Sequence, residues 1–353
     1  MMSSPAQPDK TVRWTVLSEE RRELGRAAGW EMKMKVLKAI LLSCAVLSAV
    51  SAPAVAQVKQ SREQMMFYTA LWKGERFPDG RPKVPDDLLA RVVDVSIEDL
   101  WDYLRDKGFN CQFDNGYQML HPDKPFAGRA LTAQYMPLRM DMWNAIAAEG
   151  KREGRVSGNN SWPIAELTMG DMYIADGFGK IVEGTLIGSN LGSGIASHSH
   201  TGFVFDAGIR DAEENRELEN MNGLYRAYDP SAWKDMTLTS INAPIRIGRA
   251  TVLPGDLVLA KKEGVIFIPA YLAEDAVAHA EFINLEDAFN FDLNRTGKNG
   301  GEFEGGWTAK KYDALVQWIN ANPSKLKMSR AEFDAILVER KNRRQGPVSG
   351  APK

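Results

Sequence analysis

Apolar residues along this chain fall into three kinds of run, and each kind predicts a different element. Short continuous runs are the first kind. Met172-Tyr173-Ile174-Ala175, Phe203-Val204-Phe205, Leu257-Val258-Leu259-Ala260 and Val265-Ile266-Phe267-Ile268 are each bounded by Gly, Pro, Asp or Lys. Runs of that length between turn residues predict strands. Gly202–Asp206, apolar without alternation, predicts a strand buried on both faces. Gly128–Tyr135 reads as a further strand. Two of the strands are entered alike. Met169-Gly170-Asp171 and Pro254-Gly255-Asp256 each set a Gly-Asp turn ahead of the apolar run,.

The second kind repeats at helical spacing. Leu100, Tyr103 and Leu104 follow Ser96-Ile97-Glu98-Asp99, a Ser cap with acids in the first turn, and Gly108 closes the segment,. Tyr312, Leu315, Val316 and Ile319 make a stripe that predicts a helix over Thr308–Asn320,. Further helices are expected around Arg62–Trp72, over Met142–Glu149, through most of 271–293 and over Ser329–Arg340. After the first of these an extended arm is expected, up to residue 95, with Gly and Pro clustered over Phe77–Pro85, and Asn294–Gly306 predicts a loop. Strands interleaved with helices predict an α/β protein.

The third kind is one longer run, Ala39 to about Val50, with Lys33, Lys35 and Lys38 before it and Ala54-Val55-Ala56 after it. That is the layout of an export signal: a basic start, a short apolar stretch and a small-residue cleavage site. The run falls short of the roughly 20 residues a membrane span needs. The expectation is an exported, periplasmic or secreted protein, cleaved near Ala56, with residues 1–33 an over-extended start or a long basic region.

Composition narrows the partners. With 44% hydrophobic and 25% charged residues and a net charge of −2, the chain has no dominant basic face, which argues against nucleic acid,. The basic tail Arg340-Lys341 and Arg343-Arg344 reads as a solvated terminus. Cleavage would remove Cys44 and leave Cys111 alone, so no intrachain disulfide is expected,. Cys111, between Asn110 and Gln112, reads as a structural thiol, with nothing beside it to lower its pKa.

The chemistry concentrates between residues 188 and 211. Gly188-Ser189-Asn190-Leu191-Gly192-Ser193-Gly194 heads a helix, whose free N–H groups favour an anion,. After the buried strand come Arg210, a fork of donors suited to a carboxylate, and Asp211, an oxygen ligand for a divalent cation. The same residues also make sense as a tight turn with an Arg–Asp surface pair. The glycines lack the strand context of a nucleotide or methyl-donor fold. His198 and His200, two apart on a helix, face different ways and do not suggest a joint metal site.

These motifs occur in an order that resembles the RraA-like family. The pattern is Gly128-Arg129-Ala130-x-Thr132, Gly170-Asp171, Gly188-x-x-Leu191 and Gly202-x-x-x-Asp206-x-x-x-Arg210-Asp211. Pro254-Gly255-Asp256 and Gly264-Val265-x-x-x-Pro269 complete it. The resemblance covers about 96–270. It implies a three-layer β/β/α swivelling fold, with an N-terminal arm at 57–95, a helical extension at 271–353 and assembly as a homotrimer. It implies two functional readings. One is a class II pyruvate aldolase and oxaloacetate decarboxylase, acting on a small 2-oxo acid with Mg²⁺ or Mn²⁺. Gly188, Ser189, Asn190, Leu191 and Arg210 would then hold the substrate, and Asp211 the metal. The other is a non-catalytic binding or scaffold protein. One departure bears on the choice. The aldolases carry an acid directly after the first Gly of Gly-x-x-Leu, where this chain has Ser189.

Overall fold

The computed structural model describes residues 58–298 and 306–343, all within one unit, Gln57–Lys353. The expected export signal and cleavage site, and most of the expected loop 294–306, lie outside the described residues. Among the described residues eleven strands are seen: β1 Phe113–Asp114, β2 Gln118–Met119, β3 Phe126–Pro137, β4 Asp171–Thr185, β5 Gly202–Ile209, β6 Asn222–Tyr228, β7 Met236–Ile241, β8 Ile245–Ile247, β9 Ala250–Val252, β10 Leu257–Lys261 and β11 Gly264–Ile268. Nine form one sheet in the order β1-β11-β10-β3-β4-β5-β6-β2, with β7 also paired to β3. β3 to β6 are parallel neighbours, while β10, β11, β1, β2 and β7 pair antiparallel. β8 and β9 make a separate ribbon.

Side-chain alternation shows how the sheet makes layers. Ala130, Met172, Ile174, Val204 and Leu224 from the parallel strands share one apolar cluster with Val258, Ala260, Val265 and Phe267 from β10 and β11, and with the β8–β9 ribbon. The parallel and antiparallel halves therefore face one another across a common core. Their other faces are covered separately. Tyr173, Phe203 and Phe205 pack with Trp162, Ile164 and Ile195. Leu257, Leu259, Ile266 and Ile268 pack with the helices Asp86–Val92, Ile97–Asp106 and Ala273–Arg295. The result is the expected three-layer α/β arrangement with added terminal helices. All eight residues of β5 are buried, as its unbroken apolar run requires.

The Gly-Asp echo has a structural cause. Gly170 and Gly255 take left-handed φ angles of 82° and 87°, which only glycine adopts without strain. In each turn the Asp closes back on a backbone N–H three residues earlier. Thr168 donates to Asp171 at 2.8 Å, and Leu253 to Asp256 at 2.9 Å. The two turns flank β3, where Arg129 pairs with both Asp171 and Leu257.

The segment before residue 96 is bound through these motifs. Arg81 gives Asp171 two parallel hydrogen bonds of 3.1 Å, with both side chains almost wholly buried. Arg129 donates to the Val84 carbonyl at 2.6 Å and pairs with Asp86. The expected extended arm contains a helix, Asp86–Val92, which starts at Pro85 with Asp86 and Asp87 in its first turn. Arg91 on that helix holds Glu281 and Glu332, tying it to the C-terminal helices. Those helices, through Ala309–Ala321 and Arg330–Arg343, gather around Phe282, Tyr312 and Phe333.

Asp256 carries a pH signature. Burial pushes its carboxyl up to about 7, against two backbone N–H bonds that act in the opposite sense. The folded state therefore holds this proton more tightly than the unfolded chain does. Stability contributed this way is present at low pH and is lost as pH rises from about 4 to about 7. Asp256→Asn is expected to remove that slope, on the order of 1.4 kcal/mol per pH unit within the window. Denaturant unfolding of both proteins between pH 5 and pH 8 checks it.

Candidate active site

Three elements build the recess around residues 188–211. β4 ends at Thr185, and Leu186 and Ile187 run alongside the end of β5. The Leu186 N–H donates to Gly208 O at 3.1 Å, and the Arg210 N–H to Ile187 O at 3.1 Å. Gly188 then caps the helix Ser189–Ser199, which turns back over the sheet. The 188–191 segment and the 210–211 segment are thus held side by side by sheet hydrogen bonds.

Asp211 is the hinge of the arrangement. It sits in the left-handed region at φ 53°, heading the short helix Ala212–Arg216. Its side chain does not cap that helix. Its Oδ2 instead accepts the Ser189 N–H at 3.0 Å, at the start of the other helix, where a carboxylate is favoured by the dipole,. Arg210 Nε lies 3.9 Å from the same oxygen, and both side chains are partly exposed. Asn190 and Leu191 come next in that helix, so their N–H groups have no intrahelical acceptor.

Asn215 fixes this geometry from behind. Fully buried, it donates from Nδ2 to the carbonyls of Arg210 at 3.2 Å and Asp211 at 2.8 Å. Its amide lies against Gly192, where a Cβ would overlap its Oδ1. A Cβ on Gly188 would likewise overlap the Asp211 carboxylate. Gly188→Ala is expected to displace Asp211 from the Ser189 N–H and to weaken anion binding at least about tenfold. Titration of oxalate checks this, with little change in the unfolding midpoint.

The recess holds about 90 Å³ and is lined by Gly188, Asn190, Leu191, Arg210 and Asp211, with Trp233 among its other walls. Pockets for larger cofactors run to roughly 300–1,000 Å³, so this one suits a few heavy atoms. Gly188, Asn190, Leu191, Arg210 and Asp211 thus meet as the sequence suggested. Ser189 contributes its backbone N–H. The tight turn and the Arg–Asp proximity read from sequence are also present; they form this recess. Asn215 was missed, although its place four residues after Asp211 on a helix is the signal for such a contact. Asn160, also missed, reaches the Leu186 carbonyl at 3.1 Å from a separate short helical turn.

The other motif residues lie outside the recess. Arg129, Asp171 and Asp256 serve the turns and the docked N-terminal segment described above. His198 Nδ1 is 2.9 Å from the Ile164 carbonyl, and His200 ends the helix in a left-handed conformation. Among the described residues, no group of three or more His, Cys, Asp or Glu side chains is placed to hold a metal. Cys111 is exposed rather than packed in the core, because it falls in the loop after Gly108 and before β1.

Comparison with known proteins agrees with this geometry. The family model described as RraA-like, Aldolase/RraA, matches residues 97–267, which takes in the motifs from Gly128 to Gly264-Val265 and stops two residues short of Pro269. This part of the chain belongs to the RraA-like family. A Halalkalibacterium halodurans protein, provisionally named a 4-hydroxy-4-methyl-2-oxoglutarate aldolase, is 30% identical over 126 residues. That match spans 35% of this chain and 57% of the relative's length. RraAS2 from Streptomyces coelicolor, described as an unusual member of the RNase ES inhibitor RraA protein family, superposes with a TM-score of 0.51 at 24% identity, covering 61% of this chain and all of that one. An uncharacterized protein from Pseudomonas syringae pv. tomato does so with a TM-score of 0.51 at 18% identity, over 64% of this chain and 95% of that one. These structures share the fold of the RraA-like domain. No helix among the described residues is long and apolar enough to cross a membrane.

Proposed function

We propose that this RraA-like protein is a divalent-metal-dependent lyase acting on a small 2-oxo acid, of the pyruvate aldolase or oxaloacetate decarboxylase type. The observation that carries the reading is the convergence of Arg210, Asp211 and the start of the helix Ser189–Ser199 on one recess of a few heavy atoms' size.

The donor set fits Mg²⁺ or Mn²⁺. Mg²⁺ is commonly held by one or two carboxylates, with water and substrate completing its shell. Asp211 supplies one such carboxylate, already oriented by the Ser189 N–H through Oδ2. Bound there, the metal would polarise the 2-oxo group and stabilise the enolate left when the C–C bond breaks. The chain's own residues do the rest. Arg210 orients the substrate carboxylate, with a planar fork that Lys does not reproduce. The amides of Asn190 and Leu191 and the helix dipole favour the same anion. Leu191 and Trp233 keep part of the wall apolar. Ser189 supplies no carboxylate, so within this segment no side chain acts as the base that moves the proton. The proposal extends to a homotrimer exported after cleavage near Ala56.

Ser189 is also the observation that favours the second reading, a non-catalytic protein that binds a 2-oxo acid. Calorimetric titration of oxalate, a planar mimic of the pyruvate enolate, tests the site itself. Binding is expected with Mn²⁺ and lost with EDTA. Oxalate that binds equally with and without metal, or not at all, contradicts the proposal.

A further inference from the structure

A second cavity, of about 600 Å³, shares no lining residue with the recess. It lies between the end of the helix Arg62–Tyr68, the loop Gly108–Gln112 and the turn Pro269–Tyr271. Its volume falls within the roughly 300–1,000 Å³ of small-molecule sites. Tyr68, Trp72, Phe109 and Tyr271 are among its walls, with Phe109 and Tyr271 edge-on at 6.5 Å. Leu71, 61% exposed, stands at its rim.

The charge make-up is one-sided. Asp256 lines the cavity yet is only 2% exposed. It accepts the N–H groups of Leu253 at 2.9 Å and Ala270 at 3.3 Å, both of which also line the cavity. Once ionised, above about pH 7, its carboxylate has room for about four hydrogen bonds, so half that capacity is unused,. Three other buried acids have an Arg partner, Asp171 with Arg81, Asp206 with Arg226 and Glu281 with Arg91, whereas Asp176 accepts the Phe178 N–H. Asp256 has no Arg partner, and no Lys, Arg or His lines the cavity. Arg76 touches its wall, but there its guanidinium donates to oxygens of Thr69 and Trp72, and beyond them to Gly80. A cavity whose walls combine a buried acid without a cation and four aromatic rings is an environment that favours an ammonium group,.

We infer that this cavity binds a small organic cation, an ammonium group on an apolar or aromatic body, with its charge toward Asp256 and the rings and its body against Leu71, Leu253 and Pro269. A 2-oxo acid has the wrong charge for this cavity, so the inference stands independently of the proposed lyase site.

Cys111 lines the cavity as an exposed free thiol and reports its occupancy. The test uses the full chain at pH 8, where Asp256 is ionised, and measures the rate at which neutral iodoacetamide alkylates Cys111, read on its own peptide by mass spectrometry. Benzyltrimethylammonium is the probe, and neopentylbenzene, with carbon in place of the charged nitrogen, is its neutral counterpart. The ammonium is expected to slow alkylation at least about fivefold at saturation, and the neutral compound at the same free concentration is not. Asp256→Asn, and separately Leu71→Lys at the exposed rim, are each expected to raise the half-protecting concentration at least about tenfold. Equal protection by both compounds would show a generic apolar cavity and overturn the inference. Protection by neither would overturn it too. So would a Cys111 that is unreactive before any probe is added because a second copy of the chain covers it.

Discussion

Asp211→Asn is expected to lower metal-dependent pyruvate release from oxaloacetate by roughly 10²–10³-fold, the range seen when a group facing developing charge is removed. Asn is the informative replacement. Position 211 has a φ of 53°, a conformation that Asn tolerates better than most residues. Its amide oxygen still accepts the Ser189 N–H, so the helix start keeps its partner and the fold is preserved. What disappears is the negative charge that would hold Mg²⁺ or Mn²⁺. Steady-state rates with each metal, beside unfolding curves that show an intact fold, make the measurement. A loss smaller than about threefold would mean that Asp211 holds no metal during turnover.

The largest expected effect on stability lies far from that recess. Arg81→Met leaves the Asp171 carboxylate, 0% exposed, without its bidentate partner. Breaking a buried pair from one side costs about 3–5 kcal/mol, because the remaining charge is desolvated and uncompensated. The Thr168 N–H and hydroxyl still reach Asp171, but they are neutral donors. Adding Asp171→Asn to Arg81→Met is expected to recover part of the loss by removing the stranded charge, while the Thr168 contacts remain available. Denaturant unfolding of the two variants gives both numbers. A cost below about 1 kcal/mol for Arg81→Met would mean that the N-terminal segment is not docked through this pair.

How much of this was legible in the chain follows from how local each signal is. The unbroken apolar run of β5, the Ser96 cap and the Gly-Asp echo are local, and all three appear in the structure. The recess was legible because its parts lie in two short segments joined by one buried strand. Other features depend on partners far along the chain. Arg81 meets Asp171 across 90 positions, and nothing in the Gly- and Pro-rich stretch around it announces that contact. The helix Asp86–Val92 was hidden for the same reason. β1, β2 and β6 to β9 were not foreseen. β1, β2, β8 and β9 are two or three residues each, and β6 and β7 mix buried with partly or fully exposed positions. β4 runs to 15 residues through Gly177, Gly179 and Gly184, with register shifts that a pattern of period two does not carry. Cys111 was read as structural from its neighbours in sequence, whereas its exposure is decided by the loop between a helix and an edge strand.

The RraA-like domain thus separates two tasks within one set of motifs. Arg129, Asp171 and Asp256 build turns and anchor the N-terminal segment, and Gly188, Arg210 and Asp211 meet at the recess. Ser189 is the point at which this chain departs from the acid expected of an aldolase, and it makes turnover itself the decisive quantity. The most direct measurement follows pyruvate release from oxaloacetate by the protein beginning at Gln57, with Mg²⁺ or Mn²⁺ and then with EDTA. Release well above the metal-only background and abolished by EDTA is the predicted result. Release no faster than metal alone would contradict the lyase assignment and leave a recess that binds without turning over.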